Sequence, residues 1–494
     1  MEMKTQYDAA MGVLTYLIVA VPATLGKIFK QTPNGLEKTT AGEFYQGKFV
    51  VKFFTTVLDL VTLLTSVTTS QAITASVPVT GAIEGAIVTK AMLAKFPDAL
   101  TRTKKHFSFL FGQKGIIILD YDPPAGKVAL TRDQLWCLLV ATIPELCSAG
   151  VVWWCSGSSY IYSGEVEMQG LRGQRLYIMV DDISDTERVC DILAKRLWLA
   201  GHGYIAISKS GKRLIRSIFD AAMAEAARMD YIGGSTCHAP LEQRRGAPVV
   251  LSEGSWLKTR EVIKDLSAAD DAKYQMLVQD AKAKVAGEAR LIEEAWKAER
   301  MTAMVIKLSN IVPQEQAAER AEQTLSAATK GFLLGDFDVK LADGCTVTVG
   351  HILDNRERYN GALTFDPLEP EYANHKVTGK LFLYGAVPTL NSFAHGGAVY
   401  FLRRQPHRLY LQRGRKAELA DAIYKVLSDE PDVFVRGGKL VQIDGNRVRP
   451  LHKAGLTYLI GMRTAIYVKK DNGPDIAADV PGDVVEMVMD LVEA

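Results

Sequence analysis

The sequence predicts a mixed α/β fold that passes into α+β toward its C-terminal part, and three observations carry that prediction. Short runs of β-branched and aromatic residues (TYLIVAV, GIIILDYD, RLYIMV, YIAIS) recur through the first 255 residues with helical stretches between them. From Trp256 to about Thr329 the composition turns to Ala, Lys, Glu and Arg with helical periodicity. Near Gly331 strand and turn signals return. At 494 residues the chain exceeds what one hydrophobic core sustains, so several domains are expected. The composition shifts divide it into an α/β domain over 1–255, a helical connector or small helical domain over 256–330, an α+β accessory domain over 331–430, and a C-terminal β-plus-helix segment over 431–494.

Ala9–Gly26 is uncharged and long enough to raise the question of a membrane span. Thr15, Pro22 and Thr24 interrupt it and its core is rich in strand formers, so it reads as a buried strand and a turn. Leu60–Ile83 is also uncharged but crowded with Thr and Ser, and reads as helix plus loop. Gly115–Leu119 places four branched aliphatics in a row, which suits a strand buried on both faces, and Pro123 and Pro124 end it. Asp120 and Asp122, two residues apart at that end, then share one face of the sheet. A helix is expected over Thr131–Leu139, with strand-like stretches over 151–162 and Arg175–Val180. Ser184 and Glu187 have capping-box spacing, opening a helix that buries Val189, Ile192, Leu193 and Leu197 and stops at Gly201. Residues 208–222, SKSGKRLIRSIFDAA, are a basic glycine turn and an apolar segment closed by Asp220, the plain alternative being a solvated turn that leads into an amphipathic helix. Further on, FDVKLADGCTVTV forms a hairpin around Asp343-Gly344, and KLFLYGAVP and AVYFLRR are strands. A helix covers Arg415–Leu427, VFVRGGKLVQID pairs with RVRPLHK, and a helix covers Val480–Val492.

The net charge of +2, with 48% hydrophobic and 23% charged residues, excludes disorder on a large scale and neither demands nor excludes a nucleic-acid partner. Six cysteines without a C-x-x-C pair argue against zinc and against a disulfide scaffold, and a reducing cytoplasm is expected. No signal peptide is read at the N-terminus. Neither SGKR at 210–213 nor GGKL at 437–440 completes a P-loop.

Three groups of residues carry candidate chemistry. Asp120 and Asp122 offer hard oxygen donors at a fixed strand end, as two-metal phosphoryl transfer requires; the plain alternative is a solvated strand end. In 208–222, Lys209, Lys212, Arg213 and Arg216 crowd a glycine turn before Asp220, which suits a nucleoside triphosphate with its metal; the alternative is a basic solvated turn. Ser156-Gly-Ser-Ser159 and GLRGQR at 170–175 bring hydroxyls, glycine amides, Arg172 and Arg175 that can face phosphates; the alternative is two ordinary turns. His395, in NSFAHGGAVY, reads as a histidine satisfied by backbone at a glycine turn, against a role in touching nucleic acid or a helicase.

Taken in order, these groups resemble the archaeo-eukaryotic primase superfamily, most closely the primase-polymerases of phages, plasmids and integrated mobile elements. ALTRTKKHFSF, GIIILDYDPP, SGSSYIY, GLRGQRLYIMVDD, RLWLAGHGYIAISKSGKRLIRSIFDAA and RMDYIGGSTCHAPLEQRR carry the resemblance over roughly residues 80–255. FDPLEPEYANHKVTGKLFLYG and NSFAHGGAVYFL are similar to blocks between such a primase and a fused helicase. The resemblance implies a catalytic domain with an RRM-like mixed sheet, in which Asp120, Asp122 and Asp220 are catalytic ligands for Mg²⁺ or Mn²⁺. It makes Ser158 or Ser159 the serine of the nucleotide-binding motif, and it puts Arg175 where the family carries a histidine. Arg172, Lys209, Lys212 and Arg216 are further expected contacts to nucleotide or template phosphate. The implied activity is template-directed nucleotidyl transfer from NTPs or dNTPs on single-stranded DNA, making or extending primers for a mobile element in a bacterial cytoplasm. A helicase would act in trans or be missing from this chain, and no membrane partner is expected. Two rivals stand beside it. One is a catalytically decayed primase fold that binds DNA as a replication or loading factor, with Arg175 as its mark. The other is a D-x-D glycosyltransferase, which has no use for Asp220.

Overall fold

The computed structural model describes residues 7–21, 23–42, 44–123, 126–385, 387–428, 430, 433–444, 447–470 and 475–493; Pro22 and Pro124 lie outside them. The chain divides into two compact units, residues 1–206 with 215–284 and residues 207–214 with 285–494. The helical stretch from 256 to 330 is shared between them: Ala268–Lys284 belongs to the first unit, Ala286–Ser309 and Gln314–Thr329 to the second. Among the described residues no helix is long and apolar enough to cross a membrane. The class is mixed α and β throughout.

In the first unit the main strands are β1 (Gly12–Val19), β2 (Gln46–Phe54), β3 (Gln71–Thr74), β4 (Glu84–Val88), β5 (Leu100–Thr101), β6 (Gly115–Tyr121), β7 (Gly150–Cys155), β8 (Gln174–Val180) and β9 (Val249–Glu253). They form one sheet in the order β9-β7-β8-β6-β1-β2-β4-β5, with β3 also paired to β1. β6 runs parallel to β1 and antiparallel to β8. All seven residues of β6 are buried, as four consecutive branched aliphatics require. Within Ala9–Gly26 the central strand is accordingly Gly12–Val19, its Leu14 and Leu17 wholly buried.

Of three helices in this unit, two follow their capping chemistry. α1 (Val57–Ser66) starts at a Thr56–Asp59 capping box. Beyond it Leu60–Ile83 holds β3 and the short strand Val77–Pro78 where a loop is expected, because Ala72 and Ile73 are buried against β1. α2 (Arg132–Thr142) has the reciprocal Thr131–Gln134 box and runs three residues past the expected end. α3 (Thr186–Leu199) does not use the Ser184–Glu187 box. The Asp182 carboxylate takes both the Ser184 N–H and its hydroxyl, a 3₁₀ turn intervenes over Ile183–Asp185, and Glu187 pairs with Lys104 at 3.2 Å. Its buried face is the expected one, and Gly201 ends it at φ +85°.

Residues 208–222 do not form the amphipathic helix of the plain alternative. Arg213–Arg216 is a strand paired with Tyr204–Ile207 around Gly211 (φ +81°), since its side chains alternate in exposure with period two. Asp220 then caps a 3₁₀ turn over Ala221–Ala224.

The second unit packs Trp296 and Leu325 of its two long helices onto a five-stranded sheet that includes Gly379–Phe382 and Ala398–Leu402. The hairpin Asp338–Lys340/Thr346–Thr348 turns at Gly344 (φ +89°). A separate core gathers the helices Lys416–Ser428, Lys453–Arg463 and Gly482–Glu493 over the meander Val433–Arg436, Lys439–Asp444 and Arg447–Pro450.

Candidate active site

β6 carries Asp120 to the end of a fully buried strand and Asp122 just past it. An antiparallel bridge between Tyr121 and Phe219, and the Asp220 N–H donating to the Asp120 carbonyl at 2.9 Å, bring Asp220 alongside. Register does the rest: β8 lies antiparallel to β6 with Arg175 directly opposite Asp120. The Arg175 guanidinium donates to Asp120 Oδ1 through Nη1, and through Nε to Asp230 Oδ1 at 2.9 Å. Asp230 also accepts from the Tyr177 hydroxyl at 2.7 Å.

These groups are withdrawn from water, with 12% of the Asp120 side chain, 1% of Asp230 and 16% of Arg175 exposed. Burial pushes the Asp120 carboxyl up to about 7; Arg175 works against this, and Asp122, Asp230 and Asp220 add to it. Burial alone would lower the Arg175 pKa, but Asp120 and Asp230 raise it overall and secure its charge. Asp122 and Asp220 are exposed, and Asp220 pairs with Arg228 at 3.6 Å.

The serine turn is pinned from several sides. Ser159 is fully buried; its hydroxyl donates to the Gly173 carbonyl (3.1 Å) and accepts from the Arg172 N–H (3.0 Å). The Ser158 hydroxyl bonds that of Ser156 at 2.8 Å. Gln243 Nε2 donates to the carbonyls of Gly157 (3.1 Å) and Ser159 (2.9 Å), and the Ser235 hydroxyl also donates to that of Gly157. Gly173 leaves room for two side chains: a Cβ there would stand 2.5 Å from Asp122 Oδ1 and 2.6 Å from Ser156 Oγ, and one or both would have to shift. Ser156 and Asp122 therefore both border Gly173, Ser159 serves the turn itself, and Arg172 is exposed.

No family model, curated protein or solved structure matches this chain. What the site can do must be read from its own chemistry.

Of the residues predicted from sequence, Asp120, Asp122, Asp220 and Arg175 come together. Arg216 lies near Tyr204, which also feels the charge of Asp122. Lys209 and Lys212 belong to the second unit. There Lys209 pairs with Glu371 at 3.2 Å and Lys212 donates to the Tyr400 hydroxyl at 2.6 Å, because the Gly211 turn sits against Ala289 and Glu293. His395, also in that unit, pairs through Nε2 with the Glu369 carboxylate at 2.9 Å, where a backbone partner is expected.

Four residues around the carboxylates carry no sequence signal strong enough to find them. Asp230 sits in RMDYIGG, whose only mark is its place in the resembling stretch. Tyr177 looks like any core aromatic of a strand. Lys27, on the strand Gly26–Thr32, has its pKa lowered by burial and by Lys38 and Arg175, against the pull of Asp122 and Asp120. Arg245 lies over the Trp154 ring at 3.6 Å and feels Tyr177 and Asp230. Beside them a groove of 810 Å³ is lined by Trp153, Tyr160, Arg132, Arg244 and Arg245 among others.

The donor set is all oxygen, the choice of a hard divalent ion. Asp120 and Asp230 pair with Arg175, and the Asp120 carboxyl, raised first by burial and further by the neighbouring Asp122, Asp230 and Asp220, is one whose charge a bound ion would stabilise. Among the described residues no three His, Cys, Asp or Glu side chains are gathered as a metal centre in themselves, and Asp120 Oδ1 accepts from the Arg175 guanidinium.

Proposed function

We propose that the first unit is a template-directed nucleotidyltransferase acting on single-stranded DNA, a primase-polymerase. The observation that carries this reading is the convergence of Asp120, Asp122 and Asp220 from two separate chain segments beside a buried guanidinium. Asp120, Asp122 and Asp220 would hold Mg²⁺ or Mn²⁺, which when bound eases attack by a 3′-hydroxyl and neutralises the leaving pyrophosphate. Arg175 fixes Asp120 and Asp230 in place and lies within reach of a phosphate near the same carboxylates. Ser156, next to Asp122, supplies a hydroxyl to a phosphate oxygen. Tyr160 with Arg132, Arg244 and Arg245 gives the groove an aromatic and cationic lining suited to single-stranded nucleic acid. The glycosyltransferase reading is the weaker one, since Asp220 is held beside Asp120 and would stand idle.

A second reading is favoured by the Arg175–Asp120 pair. A fixed positive charge beside Asp120 takes part of the place a cation would fill, as in a primase fold that binds DNA without chemistry. Incorporation of labelled nucleotides on circular single-stranded DNA without primer, with Mg²⁺ and then Mn²⁺, separates the two. Native protein should make new strands and Asp122→Ala should lose at least about 100-fold in rate, the size of one removed charge-stabilising group. Asp122 is exposed, so the variant should melt like the native chain. Equal DNA binding by both proteins with no product from either, even from a supplied primer, would replace the polymerase with the binding module.

A further inference from the structure

Two cations of the first unit are held close to the carboxylates without an acid to pair with. Lys27 is partly buried, yet among the described residues no carboxylate lies within ion-pair distance of its ammonium; Asp122 and Asp120 act on it only from farther off. Arg245 has its Nη1 buried with no hydrogen-bond partner, and its plane rests on the Trp154 ring. Leaving such a donor unmet is costly unless something else meets it.

Both cations flank one knot of bare backbone. A Cβ on Gly26, at φ +136°, or on Gly157 would stand 3.2 Å from the Gly234 carbonyl. A Cβ on Gly234, at φ +94°, would stand 3.6 Å from Arg245 Nη2. Lys27 follows Gly26 directly, and Ser158 follows Gly157. The strand carrying Lys27 is fixed by parallel pairing of Lys27 with Ser235, whose hydroxyl donates to the Gly157 carbonyl. Glycine walls, a hydroxyl turn and two cations are what close approach of a phosphate chain needs.

We propose that Lys27 and Arg245, around the Gly26–Gly157–Gly234 knot, form a phosphate cradle that holds the β- and γ-phosphates of the incoming nucleoside triphosphate. This rests on the nucleotidyl-transfer reading. The same chemistry would also accept a nucleic-acid backbone phosphate, so the test carries both ligands.

The full-length chain and its Lys27→Gln, Lys27→Arg and Arg245→Gln variants are titrated with tripolyphosphate, a fluorescent deoxynucleoside triphosphate and a labelled oligothymidylate, with thermal melts run alongside. Lys27→Gln and Arg245→Gln should each weaken tripolyphosphate and nucleotide binding about 10-fold, the loss of one charge-assisted contact. Oligothymidylate binding by Lys27→Gln should stay within about twofold of native, since Lys27 does not line the nucleic-acid groove, and Lys27→Arg, which keeps the charge, should recover most of the nucleotide affinity. Native-like phosphate binding by both glutamine variants would overturn the cradle, as would a loss confined to oligothymidylate. Native protein that binds tripolyphosphate through these two residues but incorporates nothing would keep the cradle and remove the polymerase reading. A native chain that incorporates nucleotides while the variants bind normally would remove the cradle alone.

Discussion

Arg175→Met removes a guanidinium and keeps most of its apolar stem, which isolates the electrostatic part of its role. In the native site that guanidinium contacts Asp120 and Asp230, whose side chains are 12% and 1% exposed. The substitution leaves both carboxylates in place, with only the Tyr177 hydroxyl still bonded to Asp230. Removing one partner of a buried ion pair costs about 3–5 kcal/mol, because the remaining charge stays desolvated. Asp120 lies nearer the surface than Asp230 and gains water, so the lower figure applies, about 3 kcal/mol. At about 2–4 °C per kcal/mol for a unit of this size, the melting midpoint should fall by about 6–12 °C. Tryptophan fluorescence is the assay, since five of the six tryptophans (Trp136, Trp153, Trp154, Trp198 and Trp256) lie in the first unit. Adding Asp230→Asn to Arg175→Met removes the most buried of the stranded charges and should restore at least about 1 kcal/mol. A loss below about 1 kcal/mol, or a double variant no better than the single one, would refute the account of Arg175 as the neutralising centre of the cluster.

Ser159→Ala removes a fully buried hydroxyl that serves both the Arg172 N–H and the Gly173 carbonyl, and denaturant titration should show a loss of about 1–3 kcal/mol. Gly173→Ala must displace Asp122 or Ser156; nucleotide incorporation should fall at least about 10-fold while stability changes by about 1–3 kcal/mol. Asp185 gives a pH-dependent term. Burial alone would raise its pKa, but hydrogen bonds from Arg188 and Thr259 and the charges of Arg188 and Arg260 hold it below its ordinary 3.8. Its contribution is thus complete above about pH 4 and lost as pH falls below that. Urea midpoints of the native chain should drop toward acid more steeply than those of Asp185→Asn, and parallel curves would disprove the assignment.

The strands were legible where composition left one choice. Ile116 to Leu119 can only be buried on both sides, and the Asp120–x–Asp122 spacing then puts both acids on one face. The helix opening at Thr131 was legible from its polar start, since Thr131 and Gln134, which cap it, are local in sequence. Ser184 failed for the opposite reason: Asp182, two residues upstream, is the stronger acceptor and captures the serine first. Arg213–Arg216 was not legible as a strand because Arg-Leu-Ile-Arg sets its two basic residues three apart, a spacing that a helical turn accepts as readily as a strand. At the site, Asp230 and Lys27 are contributed by segments about 100 residues or more from Asp120 or Asp122 in sequence, and nothing local marks either. Arg175 was legible as a basic residue, but its pairing with Asp120 follows from strand register, which only tertiary pairing sets.

That cross-strand pair has a bearing on how the sheet assembles. Ile116, Ile117, Ile118 and Leu119 present nearly the same surface to β8 whether the strands meet in the native alignment or one residue out of step. A single-residue slip exchanges the faces of the strand. It would carry Asp120 to the side where Leu119 and Tyr121 now pack, and would separate it from Arg175. An unpaired carboxylate among aliphatics is a penalty the hydrophobic run cannot offset, so the slipped arrangement is short-lived. The acid and the base thus discriminate between alignments that the isoleucines cannot tell apart, and the same two residues that furnish the site also proofread the pairing of its central strands.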